Sequence, residues 1–278
     1  MLLPPGEHRG YARGMAVTFT VLASGSQGNC TVLSTSTTRL LVDAGISCRE
    51  ACKRMRANDV DPERLTAIII SHEHSDHIAG LRVMAKKLKI PVYMTGDTND
   101  AWGRNCGKEA THLERLELFY AGHRFQIGDI SVLPFTIPHD AVDPVGFTFQ
   151  AEGLKIGVAT DLGYMPTSVR QHLRGCDILM IESNHDLEML RGGPYPWSVK
   201  QRVMSRVGHL SNDALAEFLT SDYDGGAAYL ILAHLSEQNN HPEIARGAAE
   251  RALIPKRNLL TNRLMLATQE AGLAPLQL

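Results

Sequence analysis

Residues 71–80 read SHEHSDHIAG, with three histidines and two carboxylates in the six positions from His72 to His77. They follow the apolar run Leu65–Ile70 directly, so the ligand-bearing side chains begin where a strand stops. In an extended loop, residues two apart point the same way, which lets His72 and His74 face one ion; the next bend turns Asp76 and His77 toward another. Imidazole and carboxylate donors suit zinc or manganese and disfavour calcium and magnesium, which prefer all-oxygen shells. No cysteine lies in the cluster, which weakens a structural zinc site. The stretch is not a protease HExxH, because the position four beyond His72 is Asp76. Glu73 then has no motif-given role and is expected to point away.

Upstream, Val17–Leu22 reads as a strand running into the turn ASGSQGN (23–29), and Thr38–Val42 as a second strand ending at Asp43. Gly25 and Gly28 suit a tight turn, and the strand that follows argues against a dinucleotide loop. Ser47 with Glu50 three residues on caps a helix to Met55. Downstream, Ile78, Leu81, Met84, Ala85 and Leu88 have helical spacing, so one helix over Ile78–Leu88 starts inside the His/Asp loop. Further strands are expected at Pro91–Met94, Leu116–Phe119, Arg124–Phe125, Ile130–Phe135, Val145–Gln150 and Lys155–Ala159. Others follow at Cys176–Glu182, Tyr229–Ala233 and Asn262–Ala267, with helices at Asp97–Asn105, Val199–Arg206, Ser211–Leu219 and Pro242–Leu253. The pattern predicts an α/β fold of two sheets packed face to face with helices on both flanks. No Gly/Ser/Pro-rich linker divides it, so 15–278 reads as one domain and 1–14 as a loose leader, with Met15 an alternative start.

Three more strand tips carry ligand chemistry: His139 after Ile130–Phe135, Asp161 after Ile156–Ala159, and His234 after Tyr229–Ala233. One polar residue after a strand is an ordinary turn; three with metal-binding side chains are less easily explained that way. Asp43 is either a supporting acid or a turn residue. The 278 residues carry 44% apolar side chains and a formal net charge of -2, so bulk charge does not advertise a nucleic-acid partner. Five cysteines without a CxxC pair, and no signal-peptide pattern, imply a reducing, cytoplasmic setting. No run approaches the length of a membrane span.

The motifs SGSxGN (24–29), LVDAG (41–45), SHEHxDHxxG (71–80), HDAxDPxGF (139–147) and TDLGY (160–164) occur in order, followed by IESNHDxEML (181–190), GPYPW (193–197), GHLSN (208–212) and LAHLSxxNN (232–240). This set, over about residues 15 to 270, resembles the YycJ/WalJ/VicX-like branch of the metallo-β-lactamase fold superfamily, related to the RNase Z and PhnP-type phosphodiesterases. The resemblance implies an αββα sandwich of two mixed sheets. It also implies two divalent ions, zinc or manganese: one held by His72, His74 and His139, the other by Asp76, His77 and His234. Asp161 and a hydroxide would bridge them, and Asp43 would steady the metal loop.

The implied activity is in-line hydrolysis of a phosphodiester, with Asp76 orienting the attacking hydroxide or taking its proton. His209 would contact phosphate and protonate the leaving oxygen, oriented by Glu182; a plain loop hydrogen-bond donor is its other reading. The substrate implied is nucleic acid, most of all DNA cut by a 5′-to-3′ exonuclease. A cyclic or small-molecule phosphodiesterase and an RNA-processing nuclease are the enzyme alternatives, and a regulatory metalloprotein with little turnover is the non-enzyme one. No long inserted arm suggests a tRNA processor, and the spacing from His139 to Asp161 leaves no room for a β-CASP domain. Asn184, His185, Ser211, Ser236, Asn239 and Asn240 read as a polar rim for phosphate or base contacts. Tyr164, Tyr195 and Trp197 form either a stacking wall or core, and Arg191, Lys200, Arg202 and Arg206 lie near enough in sequence to touch a nucleic-acid backbone. His112, His123, His172 and His241 carry no spacing argument. The oligomeric state stays open.

Overall fold

Strands β1 (Thr18–Ala23), β2 (Cys30–Ser34) and β3 (Arg39–Val42) form an antiparallel meander, and β3 leads through α1 (Cys48–Ala57) to the parallel strand β4 (Ala67–Ile69). The metal-loop sequence then enters a one-turn helix, α2 (Ser75–Ile78), and α3 (Leu81–Leu88), followed by β5 (Val92–Thr95), α4 (Gly96–Cys106) and β6 (Leu116–Phe119). The second half opens with the antiparallel run β7 (Phe125–Ile127), β8 (Ile130–Thr136), β9 (Val145–Ala151) and β10 (Leu154–Ala159). It continues through α5 (Thr167–Leu173), β11 (Ile178–Glu182), α6 (Leu187–Gly192), α7 (Trp197–Val203) and α8 (Asn212–Ser221). Last come β12 (Tyr229–Ala233), α9 (Pro242–Leu253), β13 (Arg263–Leu266) and β14 (Leu276–Gln277). This computed structural model describes residues 17–106, 112–259, 263–270 and 272–278, so the expected leader and the alternative start at Met15 lie outside the described residues.

The strands make two mixed sheets, ordered β14-β1-β2-β3-β4-β5-β6 and β13-β12-β11-β10-β9-β8-β7. Alternation along each strand divides its side chains between two cores. Leu40 and Ile69 point inward to meet Phe147, Phe149, Met180 and Ile231 of the other sheet. Their neighbours Leu41 and Ile68 point outward under α1, α3 and α4, against Met55, Met84 and Trp102. On the far side, Leu179 and Leu230 pack beneath α5, α8 and α9, against Val169, Leu215 and Ala249. Central strands covered on both faces must be apolar throughout, which is why Ala67–Ile70 and Tyr229–Ala233 read as unbroken runs. The architecture is the αββα sandwich expected.

The details differ in five places. Strand β2 lies between two polar clusters that masked its five residues, and β14 is only two residues long, yet each pairs with β1. Helices α5 and α6 are short and fall in stretches read as loop. The helix expected over Ile78–Leu88 is two helices broken at Ala79-Gly80. A β-carbon on Gly80 would lie 2.1 Å from the Ile46 carbonyl, so the chain passes there as bare backbone.

That crossing belongs to a seam joining the loop after β3 to the metal loop. Asn29 N donates to Asp76 O (2.7 Å), Ala44 N to His77 O (2.8 Å) and Gly80 N to Ala44 O (2.8 Å). Gly45 is pressed against it: a β-carbon there would sit 1.6 Å from the Asp76 carbonyl oxygen. Backbone cannot yield as a flexible side chain can. Gly45→Ala is therefore expected to displace the Asp76 backbone and destabilise the fold by about 2–4 kcal/mol, read by denaturant unfolding of the metal-free protein.

Candidate dinuclear metal centre

All the strands that feed the site release their chain at one end of the sandwich, and three do so through a left-handed residue. Asp43 after β3 (φ +58°), Asp161 after β10 (φ +64°) and His234 after β12 (φ +55°) all have this backbone. It costs an L-residue about 1–2 kcal/mol, though Asp and His tolerate it better than branched residues do. The turn brings each buried side chain back over the strand ends, toward His72, His74, Asp76 and His77 on the loop after β4.

There the ligand atoms of His72, His74 and His139 lie within 4.8 Å of one another, and so do those of Asp76, His77, Asp161 and His234. A third group, Asp161, Glu182, His209 and His234, overlaps the second. Four of the imidazoles have one ring nitrogen held by a partner behind it. His72 Nδ1 meets Ser71 Oγ (3.0 Å), His77 Nδ1 donates to Asp43 Oδ2 (2.8 Å), His139 Nδ1 to the Gly208 carbonyl (3.1 Å), and His234 Nδ1 to Glu182 Oε1 (2.8 Å). Each Nε2 is thereby turned inward with its lone pair available, the arrangement by which outer partners orient metal-binding histidines.

The inward atoms satisfy each other only in part: His139 Nε2 meets His74 Nδ1 (3.2 Å) and His234 Nε2 meets Asp76 Oδ2 (3.4 Å). His72 Nε2 and Asp161 Oδ2 are buried and make no hydrogen bond. His77 Nε2 faces carboxylate oxygens of Asp76 (3.4 Å) and Asp161 (3.3 Å), where a lone pair meets negative charge. Burial opposes a charged imidazole, yet Asp43, Asp161 and Asp76 hold His77 well above its ordinary pKa. His234 is likewise lifted against burial by Asp161, Asp76 and Glu182. Burial would raise the Asp76 and Asp161 carboxyls, but the facing histidines pull both well down. His72 and His139 are instead driven low, first by burial. The unpaired Nε2 of His72, the unpaired Oδ2 of Asp161, and carboxylates that draw His77 and His234 toward the protonated form all call for positive charge, so two cations fit this donor set.

A family model described as Beta-lactamase superfamily domain matches residues 38–234. The chain is 37% identical over 246 residues to "Exodeoxyribonuclease YycJ" of Bacillus anthracis, covering 87% of this chain and 91% of that protein. It is also 37% identical over 227 residues to "Exodeoxyribonuclease WalJ" of Streptococcus pneumoniae, covering 82% and 84%. The chain belongs to the metallo-β-lactamase superfamily, in its YycJ/WalJ-like branch. Zn(2+)-bound PqqB from Methylobacterium extorquens shares the fold at a TM-score of 0.70, with 17% identity, across 94% of this chain and 100% of that one. As a member of the superfamily with both clusters present, the protein is a metal-dependent hydrolase.

Glu182, fully buried, ties the superfamily site together. Its Oε1 accepts from His209 Nδ1 and His234 Nδ1, both at 2.8 Å, while Oε2 accepts backbone N–H from Leu162 (2.6 Å) and Leu210 (3.1 Å). Burial works against its ionisation, but the two histidines outweigh it and draw its pKa to about 2. Both oxygens are thus committed inside the protein, where Glu182 holds the rings of His209 and His234 in place.

Several residues sit otherwise than their sequence setting suggested. Glu73, expected to point away from the ligands, is buried, and its Oε1 accepts the Val142 N–H (2.9 Å), pinning the loop after His139. Asn184, His185, Ser211, Ser236, Asn239 and Asn240 are buried and form no rim. They make a network in which Asn184 Nδ2 holds the His234 carbonyl (2.8 Å) and Asn240 Nδ2 the carbonyls of Ser183 and Asn184 (2.9 and 3.0 Å). Burial pushes the His185 pKa down to about 4, so that ring is neutral. Lys200 is spent inside, donating to the Arg191 carbonyl (2.7 Å); Arg202 pairs with Asp140, and Arg206 covers the Tyr164 ring at 4.3 Å. Of the aromatic trio only Trp197, 62% exposed, stands clear of the surface.

Sequence reasoning gave no role to Asn29 or Ser71. Asn29 Nδ2 lies 3.2 Å from Asp76 Oδ2 and 3.1 Å from His77 Nε2, and Ser71 Oγ lies 3.0 Å from both oxygens of Asp43. Their place at the edges of the glycine turn and the histidine stretch was the available signal. Because Asp43 sets the tautomer of His77, Asp43→Asn is expected to weaken metal affinity about 10–100-fold while leaving the fold intact. Competition against a chromophoric chelator, with circular dichroism alongside, checks this.

Proposed function

We propose that the protein is a dinuclear phosphodiesterase that degrades DNA as a 5′-to-3′ exonuclease. His72, His74 and His139 would hold one divalent ion, Asp76, His77 and His234 the other, and Asp161 would lie between them; zinc or manganese suits these donors. When bound, such a pair activates water at neutral pH and neutralises charge on a phosphoryl group and its leaving oxygen. The cytoplasmic setting proposed for it accords with five free cysteines.

The observation that carries this reading is His209, fixed by Glu182 at the edge of both clusters. Burial would lower its pKa, but the Glu182 carboxylate and Asp161 raise it above the ordinary value, which favours the protonated ring a general acid needs. Its side chain is 20% exposed, whereas that of His234 beside it is 2% exposed. With Nδ1 bound to Glu182, the other ring nitrogen is the one that can reach solvent-borne substrate and donate its proton to the departing oxygen. Asp76, 18% exposed at the side chain, orients the water that forms the new P–O bond as the old one breaks. A poor leaving group such as a sugar hydroxyl needs that proton. The names of the two 37%-identical relatives, both exodeoxyribonucleases, supply the choice of DNA.

Labelled duplex DNA, single-stranded DNA, RNA and a cyclic nucleotide offered to metal-defined protein test the reading; 5′ mononucleotides from DNA are expected, and turnover of the cyclic nucleotide alone would sink it. Asp161→Ala should abolish turnover on DNA. His209→Ala should slow DNA cleavage about 10²–10³-fold with both metals retained. The same variant should lose far less on bis(4-nitrophenyl) phosphate, whose leaving group departs unprotonated. In Glu182→Gln the raised pKa of His209 should fall, so the alkaline limb of kcat/KM moves to lower pH. A limb that stays in place would assign it to another group.

A further inference from the structure

We propose that the exposed edge of α3 is a tract that grips the phosphate backbone of DNA as it enters the metal centre; this rests on the nuclease reading above. Three hollows run in sequence along that edge. The one beside the metal centre is lined by His74, Ser75, Ile78, Arg82 and Trp102. Arg82 is shared with the next, which continues along Lys86, Lys89 and Arg115. His112 and Leu113 are shared with the last, which reaches Arg104.

Helix α3 buries Leu81, Met84 and Ala85, and leaves Arg82 and Lys86 exposed, with Lys89 exposed at its end. Spacings of four and three residues put these cations on one face. At 1.5 Å rise per residue they span about 10 Å, long enough to reach more than one phosphate of a strand lying along the helix. Some surface cations elsewhere are paired with acids, as Arg170 is with Asp222, Arg191 with Glu188 and Arg202 with Asp140. Among the described residues Arg82, Lys86, Lys89 and Arg115 make no ion pair.

The last two hollows together hold five cations against the carboxylates of Glu114 and Asp100, in a chain whose formal net charge is -2. Like charges four apart disfavour a helix, and Arg82 stands in the first turn, where the helix dipole disfavours a cation. The dipole favours Lys86 in the last turn, but among the described residues no ion pair rewards the cluster as a whole. A polyanion lying along the trough does, and the trough opens at His74.

The test compares the metal-loaded wild-type chain with Arg82→Gln/Lys86→Gln/Lys89→Asn; Asn is chosen at 89 because that residue has φ +53°. kcat/KM is measured on labelled DNA across a salt series and on bis(4-nitrophenyl) phosphate. The variant should lose about 10–100-fold on DNA at low salt, its log–log salt slope should shallow by about two to three, and the small diester should turn over unchanged. Unchanged DNA kinetics and slope would overturn the tract. Equal losses on both substrates would also overturn it, by placing the damage at the metal centre. If the wild type hydrolyses the small diester but no DNA, the nuclease reading itself fails and the tract falls with it.

Discussion

Four carboxylates, Asp43, Asp76, Asp161 and Glu182, are gathered with little water at one end of the sandwich, and their need for positive charge governs what surrounds them. A bare buried carboxylate is costly unless paired and hydrogen-bonded. Glu182 meets the need with two imidazoles and two backbone N–H groups, and Asp43 with His77 and Ser71. Asp76 and Asp161 meet it only in part, since Oδ2 of Asp161 has no hydrogen bond. That division separates the framework from the working face: the first pair holds histidines in place, and the second keeps acceptor capacity turned inward.

This explains how much was legible in the sequence. The sheets could be read because central strands covered on both faces are apolar throughout, as in Leu65–Ile70 and Tyr229–Ala233. The histidine loop could be read because its ligands are local to six positions. His139, Asp161 and His234 were visible as polar residues at strand tips, but their convergence depends on left-handed turns and on strand order, which no local pattern specifies. Asn184, Asn239 and Asn240 read as surface because asparagine usually is; only the fold shows that Asn184 and Asn240 donate to loop carbonyls around His234 and Asn239 to Ser236 Oγ. Lys200 was misplaced for the same reason, a charged side chain drawn inside by one backbone group.

The break between α2 and α3 shows the opposite case, where local pattern was strong and tertiary packing overrode it. Apolar spacing continues from Ile78 through Leu88, yet the loop after β3 has to cross at Gly80. The glycines of the LVDAG and SHEHxDHxxG motifs thus serve one close backbone approach between two segments far apart in sequence. Helix α3 is set at its own angle by that crossing, and its cationic edge is carried to the mouth of the site.

The two sheets contribute unequally but jointly: the first supplies His72, His74, Asp76 and His77, and the second His139, Asp161 and His234. Neither half can therefore assemble a complete cage alone. On a growing chain the histidine loop emerges early with only part of its donor set, and the cage closes when the last of these residues leaves the ribosome. Until then only part of the donor set is in place, so the topology leaves a full two-ion site to the finished fold.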